Sequence, residues 1–483
     1  MNLISLLESA TKDIPDKTAI IEGQERVSFR DLWNHVGRLA GAYTALGIKE
    51  GDKIAVCLPN CKEYVYAFLG ALKIKAVAVP LKQALTSYEL KNILKDCRPG
   101  LFITDNQFLK KVLPFAPSLG TGKYIICARP VMRAAASRRI IDIDDVLRNG
   151  SPVRGTADAD EGTIASINYT YRGYGYPLGA MLTHLNYRRG IELYLRGTGI
   201  EPGQRVLLSL PIYHIYPLIG SVLSPLFKGS PVVIIKHAGP KEVMELIFSG
   251  AVDVFASVPT FYATLLKMYA GMKERPPEVA HVFSGGSVLS VHLQQEVREK
   301  LGWNLRQGYG LTECLPVVFN PPMNSEPGSL GKAGEGVELK VVPESGAQGA
   351  DRIGEILVKG DSVMAGYYNR PRETADVIRD GWCYTGDMGY FGKNGYLYFS
   401  GLKKRVAKVG GNMVDLEEVH RVIRSFTGVE DAVVDTIHDE IWGNLLTADV
   451  MVKGSEEFNP GELRSFLRKR LSSYKVPVMK IIV

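Results

Sequence analysis

The sequence predicts an α/β protein of two domains, and three observations carry that prediction. Runs of β-branched residues alternate with amphipathic helical runs from Ser28 to Gly302. This is the pattern of open, mostly parallel sheets covered by helices, whose ligands sit beyond the carboxyl ends of the strands. From Gly331 the texture changes to short strands punctuated by Gly and Pro, GVELKVVPE, GEILVKG, GYYN and GYLYFSG, which predicts a small antiparallel or barrel-like β unit. After the basic cluster Lys403–Arg405 a compact mixed segment begins. The expected organisation is a large N-terminal domain over residues 1–400 and a small α+β C-terminal domain over 401–483, connected near 401–405. At 483 residues the chain is long enough for two separate cores.

Taken in order, SFRDLWNHVGRLAGAYTAL (Ser28 to Leu46) has apolar residues at helical spacing, with Ser28 as a cap and Gly47 as a stop. KIAVCLPN is a strand ending in a turn, EYVYAFLGALKIKA a helix, VAVPL a strand, SYELKNILKDC a helix and LFITD a strand. Between Pro114 and Glu161 the pattern weakens into a surface connection containing RPVMRAAASRR. The run Leu182 to Gly197 is helical, Val206 to Gly229 is apolar with breaks at Pro211 and Pro217, and PVVIIK and VDVFASVP are strands. HVFSGGSV (His281 to Val288) is a strand followed by Gly285 and Gly286, where the missing side chains let a flat ligand approach the backbone. SVLSVHLQQEVREKLG is a helix. In the last segment a helix is expected near Asp415 to Phe426, then strands VEDAVVDTI and LTADVMVK, then a helix from Pro460 to Leu471.

Composition excludes several classes. The chain is 23% charged and 46% hydrophobic with a net charge of +7, and no block of like charges marks a nucleic-acid tail. The N-terminal MNLISLLESATKDIPDK lacks a basic leader and a long apolar run, and no stretch offers eighteen uninterrupted apolar residues, so a cytosolic protein without an integral membrane segment is expected. The six cysteines, Cys57, Cys61, Cys97, Cys127, Cys314 and Cys383, are scattered, which argues for reduced thiols. Cys57 and Cys61 lack partner pairs at zinc spacing and read as buried small side chains.

The stretch Tyr169 to His184, YTYRGYGYPLGAMLTH, has glycines at 173, 175 and 179 and Pro177. It lies between a strand-like run, Ile164 to Tyr169, and a helix-like run expected to begin near Ala180. Strand, glycine loop and helix N-terminus in that order form a cradle of backbone N–H groups for an anion. From spacing alone the same stretch is an ordinary turn.

Five further segments stand in a telling order: LPIYHIYPL (Leu210 to Leu218), FSGGSVL (Phe283 to Leu289), GYGLTE (Gly308 to Glu313), GWCYTGDMGYFGKNGYLYFSG (Gly381 to Gly401) and VGGNMVDLEEV (Val409 to Val419). Together they resemble the successive signatures of the AMP-forming adenylating enzymes, and the closest flavour is an acyl-CoA synthetase. The resemblance implies attack of a carboxylate on the α-phosphate of ATP, giving an acyl-adenylate and pyrophosphate, followed by displacement of AMP by a thiol, usually coenzyme A. Such chemistry calls for a metal to spread phosphate charge and for donors on the transferring phosphoryl group.

By residue match, Thr312 and Glu313 would hold the α-phosphate and Mg²⁺, with Glu313 the metal ligand. Asp387 would accept from the ribose hydroxyls, and Gly285, Gly286 and Ser287 with Tyr309 would form the adenine slot. His214 would lie between the acyl and ATP sites, although alone it would read as structural. Thr170, Gly173, Gly175, Gly310, Gly410 and Gly411 complete the cofactor-contacting set, and Tyr213, Tyr216 and Val258 to Tyr262 are candidates for the acyl pocket. The implied ligands are a carboxylic acid, fatty or aromatic, ATP, Mg²⁺ and coenzyme A; a homodimer is compatible with this reading, and no nucleic-acid partner is implied.

Three departures from the family pattern all touch ATP. The family's phosphate loop reads roughly YTSGTTGxPKG, whereas here Tyr171, Arg172, Gly173 and Tyr174 fill the centre and Leu178 stands at the lysine position. Arg172 either restores a cation, since a guanidinium binds phosphate bidentately, or the loop no longer handles triphosphate well, or packs shut over the site. Leu402 replaces an arginine at the hinge, and Lys404 falls on the pivot of a mobile small domain. The family's adenylation lysine lies beyond YKVPVMKIIV, so a chain interrupted within a strand is expected. The alternatives are a ligase that loads a carrier-protein thiol and a degenerate member that binds acyl, nucleotide or coenzyme A ligands without adenylating.

Overall fold

The computed structural model describes residues 2–114, 124–128 (backbone only), 140–155, 160–235, 239–270, 275–343, 353–439, 443–452 and 458–482. The basic stretch RPVMRAAASRR lies outside the described residues.

Two large sheets form the first four hundred residues or so. The nine-stranded sheet has six parallel strands at its centre, in the order Leu305–Gly310, His281–Ser284, Val254–Ser257, Val206–Leu208, Val232–Ile234 and Thr18–Glu22, with antiparallel edges. In the eight-stranded sheet, Ile164–Thr170, Val77–Pro80, Lys53–Cys57 and Leu101–Asp105 run parallel. Their side chains are buried on both faces, as continuous apolar runs in helix-covered sheets should be. A five-stranded antiparallel sheet follows, built from Glu338–Val342, Gly354–Lys359, Ile378–Arg379, Trp382–Phe391 and Leu397–Leu402. The pair Gly366–Tyr367 leaves that unit and pairs with Met181 and Ala180 of the eight-stranded sheet.

The helices start where capping chemistry allows. Ser28 accepts from the Asp31 N–H and opens Phe29–Ala45, and Thr86 with Glu89 forms a capping box for Ser87–Cys97. The same chemistry corrects one expectation. Leu178–Thr183 is a strand, antiparallel to Ile164–Thr170, and the helix begins only at His184, after the Thr183/Asn186 capping box. The glycine loop is therefore the connection of a hairpin, and the helix that follows in the chain begins beyond the returning strand. Alternation of buried and polar side chains did not register there because Leu178, Gly179, Ala180, Leu182 and Thr183 are all buried.

After residue 400 a separate core forms from Ala407, Val414, Val419, Ile423, Val434, Val450, Leu463 and Leu467. It lies between a three-stranded sheet (Val429–Asp439, Gly443–Val452, Val478–Ile482) and the helices Leu416–Arg424 and Pro460–Arg470. The hairpin Val406–Val409/Asn412–Asp415 projects from it, turning at Gly410 and Gly411, both at positive φ (53° and 79°), a turn that glycine adopts without strain. Among the described residues no helix is long and apolar enough to cross a membrane, and Cys57, Cys61, Cys97, Cys314 and Cys383 are free and buried.

One buried histidine ties stability to pH. His184 is 1% exposed, and its Nδ1 accepts from the Leu3 N–H at 3.3 Å. Burial pushes its pKa down to about 4. The unfolded chain, with an ordinary histidine near 6.5, binds the proton more readily, so stability is full above about 6.5 and falls as pH drops toward 4. We expect the urea midpoint to decline between pH 7.5 and 5, with an effect on the order of 2–3 kcal/mol, and His184→Gln to flatten that decline. An equal decline in the variant rules the assignment out.

Candidate active site

Parallel strands of both sheets end around one cavity of about 320 Å³. Val254–Ser257 leads into Val258, His281–Ser284 into Gly285 and Gly286, and Leu305–Gly310 into Thr312 and Glu313. Val77–Pro80 leads into Leu81 and Lys82, and Val206–Leu208 into the turn carrying Tyr213 and His214. The small domain closes the other side with Lys408, Gly410, Gly411, Asn412, Met413 and Tyr474. Of the residues expected from the sequence, Thr170, His214, Gly285, Gly286, Tyr309, Gly310, Thr312, Glu313, Lys404, Gly410 and Gly411 face this cavity. Arg172, Gly173, Gly175, Ser287 and Asp387 do not line it. The Ser287 carbonyl accepts from Gln307 at 3.2 Å.

The aromatic wall explains Gly285. A Cβ there would lie 2.9 Å from the Tyr216 ring, so any larger residue displaces the ring. Tyr194 packs against Tyr216, Phe283 and Phe319 with ring centroids 6.0–6.5 Å apart. Tyr213 and Val258 also line the cavity, but Tyr262 belongs to the core, its hydroxyl donating to the Phe283 carbonyl at 2.7 Å.

The groups that would meet a nucleotide are bonded to one another. Asp387, 4% exposed, accepts from the Tyr309 hydroxyl at 2.9 Å and lies 3.0 Å from the Lys404 ammonium. Glu313 accepts from the Tyr367 hydroxyl at 2.8 Å and pairs with Arg172 at 3.4 Å. Arg172 also donates to the Tyr384 carbonyl at 2.7 Å, so its guanidinium is engaged by protein groups. The glycine loop is held from the small domain: Asp415 Oδ2 accepts from the N–H groups of Gly173 (2.8 Å) and Gly175 (3.1 Å), and Arg421 donates to the Gly175 carbonyl. Asp415 Oδ1 caps its own helix by accepting from Glu417 and Glu418 N–H. Its carboxylate thus fills an anion cradle of the hairpin loop.

Tyr171 of the same loop meets a buried ionic cluster. Lys475, fully buried, donates to Glu89 Oε1 and Glu418 Oε2 at 2.6 Å each and to the Tyr171 hydroxyl at 2.9 Å, which uses all three ammonium hydrogens. Ser472 donates to Glu89 Oε2 at 2.7 Å. Burial alone would raise both carboxyls; Lys475 and the Thr86 and Ser472 donors bring Glu89 below its usual range, whereas burial prevails at Glu418. Sequence reasoning passed over Lys82, Lys408, Asp415 and Lys475, and the only local signal was a lysine set within an apolar run (VAVPLKQAL) for Lys82.

The cavity suits an anion. Lys82, Lys404 and Lys408 line it against one carboxylate, Glu313. Burial brings Lys408 down to about 8, and burial together with the Lys82 charge lowers His214, whose ring opens onto the cavity and is neutral at physiological pH. Among the described residues no three His, Cys, Asp or Glu side chains cluster as a metal site. Glu313 with the Thr312 hydroxyl fits a hard cation that arrives with phosphate ligands and water rather than a resident ion.

Known proteins resemble this chain over nearly its whole length. The family model described as AMP-binding enzyme matches residues 7–368. The chain is 29% identical to a long-chain-fatty-acid–CoA ligase of Bacillus subtilis (strain 168), covering 98% of this chain and 90% of the relative. It is 30% identical to a 2-succinylbenzoate–CoA ligase of Geobacillus kaustophilus, covering 96% and 90%. Among solved structures, o-succinylbenzoate CoA synthetase from Bacillus subtilis bound with a product analogue superposes with a TM-score of 0.86 at 27% identity, covering 99% of this chain and 94% of that one.

Proposed function

The chain belongs to the AMP-binding enzyme family, and from that premise we propose that it is an AMP-forming acid–thiol ligase which activates a compact carboxylic acid and transfers it to coenzyme A. The observation that carries this reading is the convergence of Thr312, Glu313, Tyr309, Gly285, Gly286 and His214 with the small-domain hairpin Lys408–Met413 on one cavity. Thr312 and the backbone beside it would hold the α-phosphate, Glu313 a cation brought by the nucleotide, Asp387 the ribose and His214 the boundary with the acyl group. Bound magnesium would spread the charge that develops on the phosphates.

The cavity has an aromatic wall of Tyr194, Tyr213, Tyr216, Phe283 and Phe319, on which a flat ring packs well. That supports an aryl or short-chain acid over a long alkyl chain, whatever the names of the relatives. The internal bonding of Asp387, Glu313 and the loop N–H groups favours a second reading, a protein that binds these ligands without adenylating.

Acid-dependent ATP–pyrophosphate exchange with a panel of benzoate, cinnamate, short-chain and long-chain acids separates the readings. We expect exchange with at least one aryl or short acid and little with hexadecanoate. No exchange with any acid, alongside measurable binding of ATP or an acyl-CoA, rejects the ligase and selects the binder.

A further inference from the structure

Lys82 is a residue of the large domain whose surroundings are completed by the small one. It follows the strand Val77–Pro80, lines the cavity, donates to Asn412 Oδ1 and places its ammonium 3.7 Å from the centre of the Tyr474 ring. Among the described residues no carboxylate pairs with it. The carboxylate whose charge reaches it, Glu89, is taken by Lys475. An amide oxygen and an aromatic face hold the amine in place without supplying a counter-charge, so the group stays available to a ligand.

The docked arrangement also says which step this amine can serve. With Asp415 on the N–H groups of Gly173 and Gly175, the loop cannot hold polyphosphate there. The arrangement therefore suits the step after pyrophosphate has gone, which is attack of the thiol.

We propose that Lys82 is the general base that takes the proton of the incoming thiol in the thioester-forming step. The inference rests on the ligase reading above. The S–H proton passes to the Nζ lone pair and the sulfur electron pair forms the C–S bond to the acyl carbon. The bond from that carbon to the phosphate oxygen breaks, and AMP leaves with its electrons; the ammonium then returns its proton to water. The basicity fits the task, because burial and the neighbouring Lys475 charge bring Lys82 down to about 7, with Glu89 opposing, whereas a thiol ordinarily titrates near 8.5. A base close to working pH is the effective one. The other titratable groups nearby are His214, on which the Lys82 charge acts, and Tyr474.

Two measurements on the full chain test this. The first is thioester formation from coenzyme A and the preformed adenylate of the best-exchanging acid, followed from about pH 6 to 9.5. The wild type should rise through about pH 7 and level off. Lys82→Met should lose about 10²-fold or more at pH 7 and climb with thiolate toward pH 9. Lys82→Arg should keep the coenzyme A KM but show the same displaced profile. A Lys82→Met profile that overlies an active wild type overturns the proposal alone, and so does a variant that loses rate equally at every pH. A wild type that makes no thioester overturns the ligase reading and this proposal with it.

The second measurement is independent of turnover. Acetic anhydride labelling, read by mass spectrometry, should modify Lys82 with a midpoint near 7 and should be blocked by coenzyme A. A midpoint above about 9, or no protection, counts against the proposal.

Discussion

Replacing Lys475 with methionine is expected to release the small domain from the large one at a cost of about 3–5 kcal/mol, the usual penalty for leaving buried charges without their partner. Lys475 is 0% exposed and Glu89 and Glu418 are 3% and 8% exposed at their side chains, so both carboxylates would be stranded. Glu89 belongs to the large domain and Glu418 and Lys475 to the small one, so the loss falls on docking rather than on either core. Trypsin cleavage at Lys403–Arg405 and hydrogen exchange around Thr86–Glu89 and Ser472–Lys475 should both accelerate. Adding Glu89→Gln and Glu418→Gln to Lys475→Met should recover part of the loss, because neutral groups strand less charge. A penalty under about 1 kcal/mol, the range of exposed ion pairs, would mean that the cluster does not form in solution.

Arg172→Ala should be the second large effect. The guanidinium is 9% exposed and pairs with Glu313, which is 3% exposed. Its removal leaves one buried carboxylate with only the Tyr367 hydroxyl for company. We expect a stability loss of about 3 kcal/mol and a fall of about 10²-fold in adenylation rate, because Glu313 loses the partner that holds it at the cavity wall. A phosphate-holding arginine would behave differently: the KM for ATP would rise at unchanged stability. Arg172→Lys separates charge from geometry, since an ammonium cannot serve both Glu313 and the Tyr384 carbonyl from that fixed fork.

Both residues show how the atypical loop is used. Tyr171 docks on Lys475, Arg172 turns inward to Glu313, and Gly173 and Gly175 donate to Asp415. Of the two expectations for this loop, the structure shows it closed against the small domain. Its aromatic and basic residues are spent on protein contacts, while Thr170 and Tyr171 remain at the cavity wall.

What the sequence determined by itself were the features that depend on neighbours along the chain. The parallel strands, the cap at Ser28 and the ordered motifs from Leu210 to Val419 are local, and local patterning fixes strand ends, hence which residues stand at the carboxyl edge of each sheet. Tertiary structure decided the rest. The segment Leu178–Thr183 became a strand because both of its faces are covered, which removes the alternation that marks a strand. Lys82, Asp415 and Lys475 acquired their roles from partners 330, 242 and 386 positions away. A charge buried between two domains is set by what the other domain brings to it, and no local pattern encodes that.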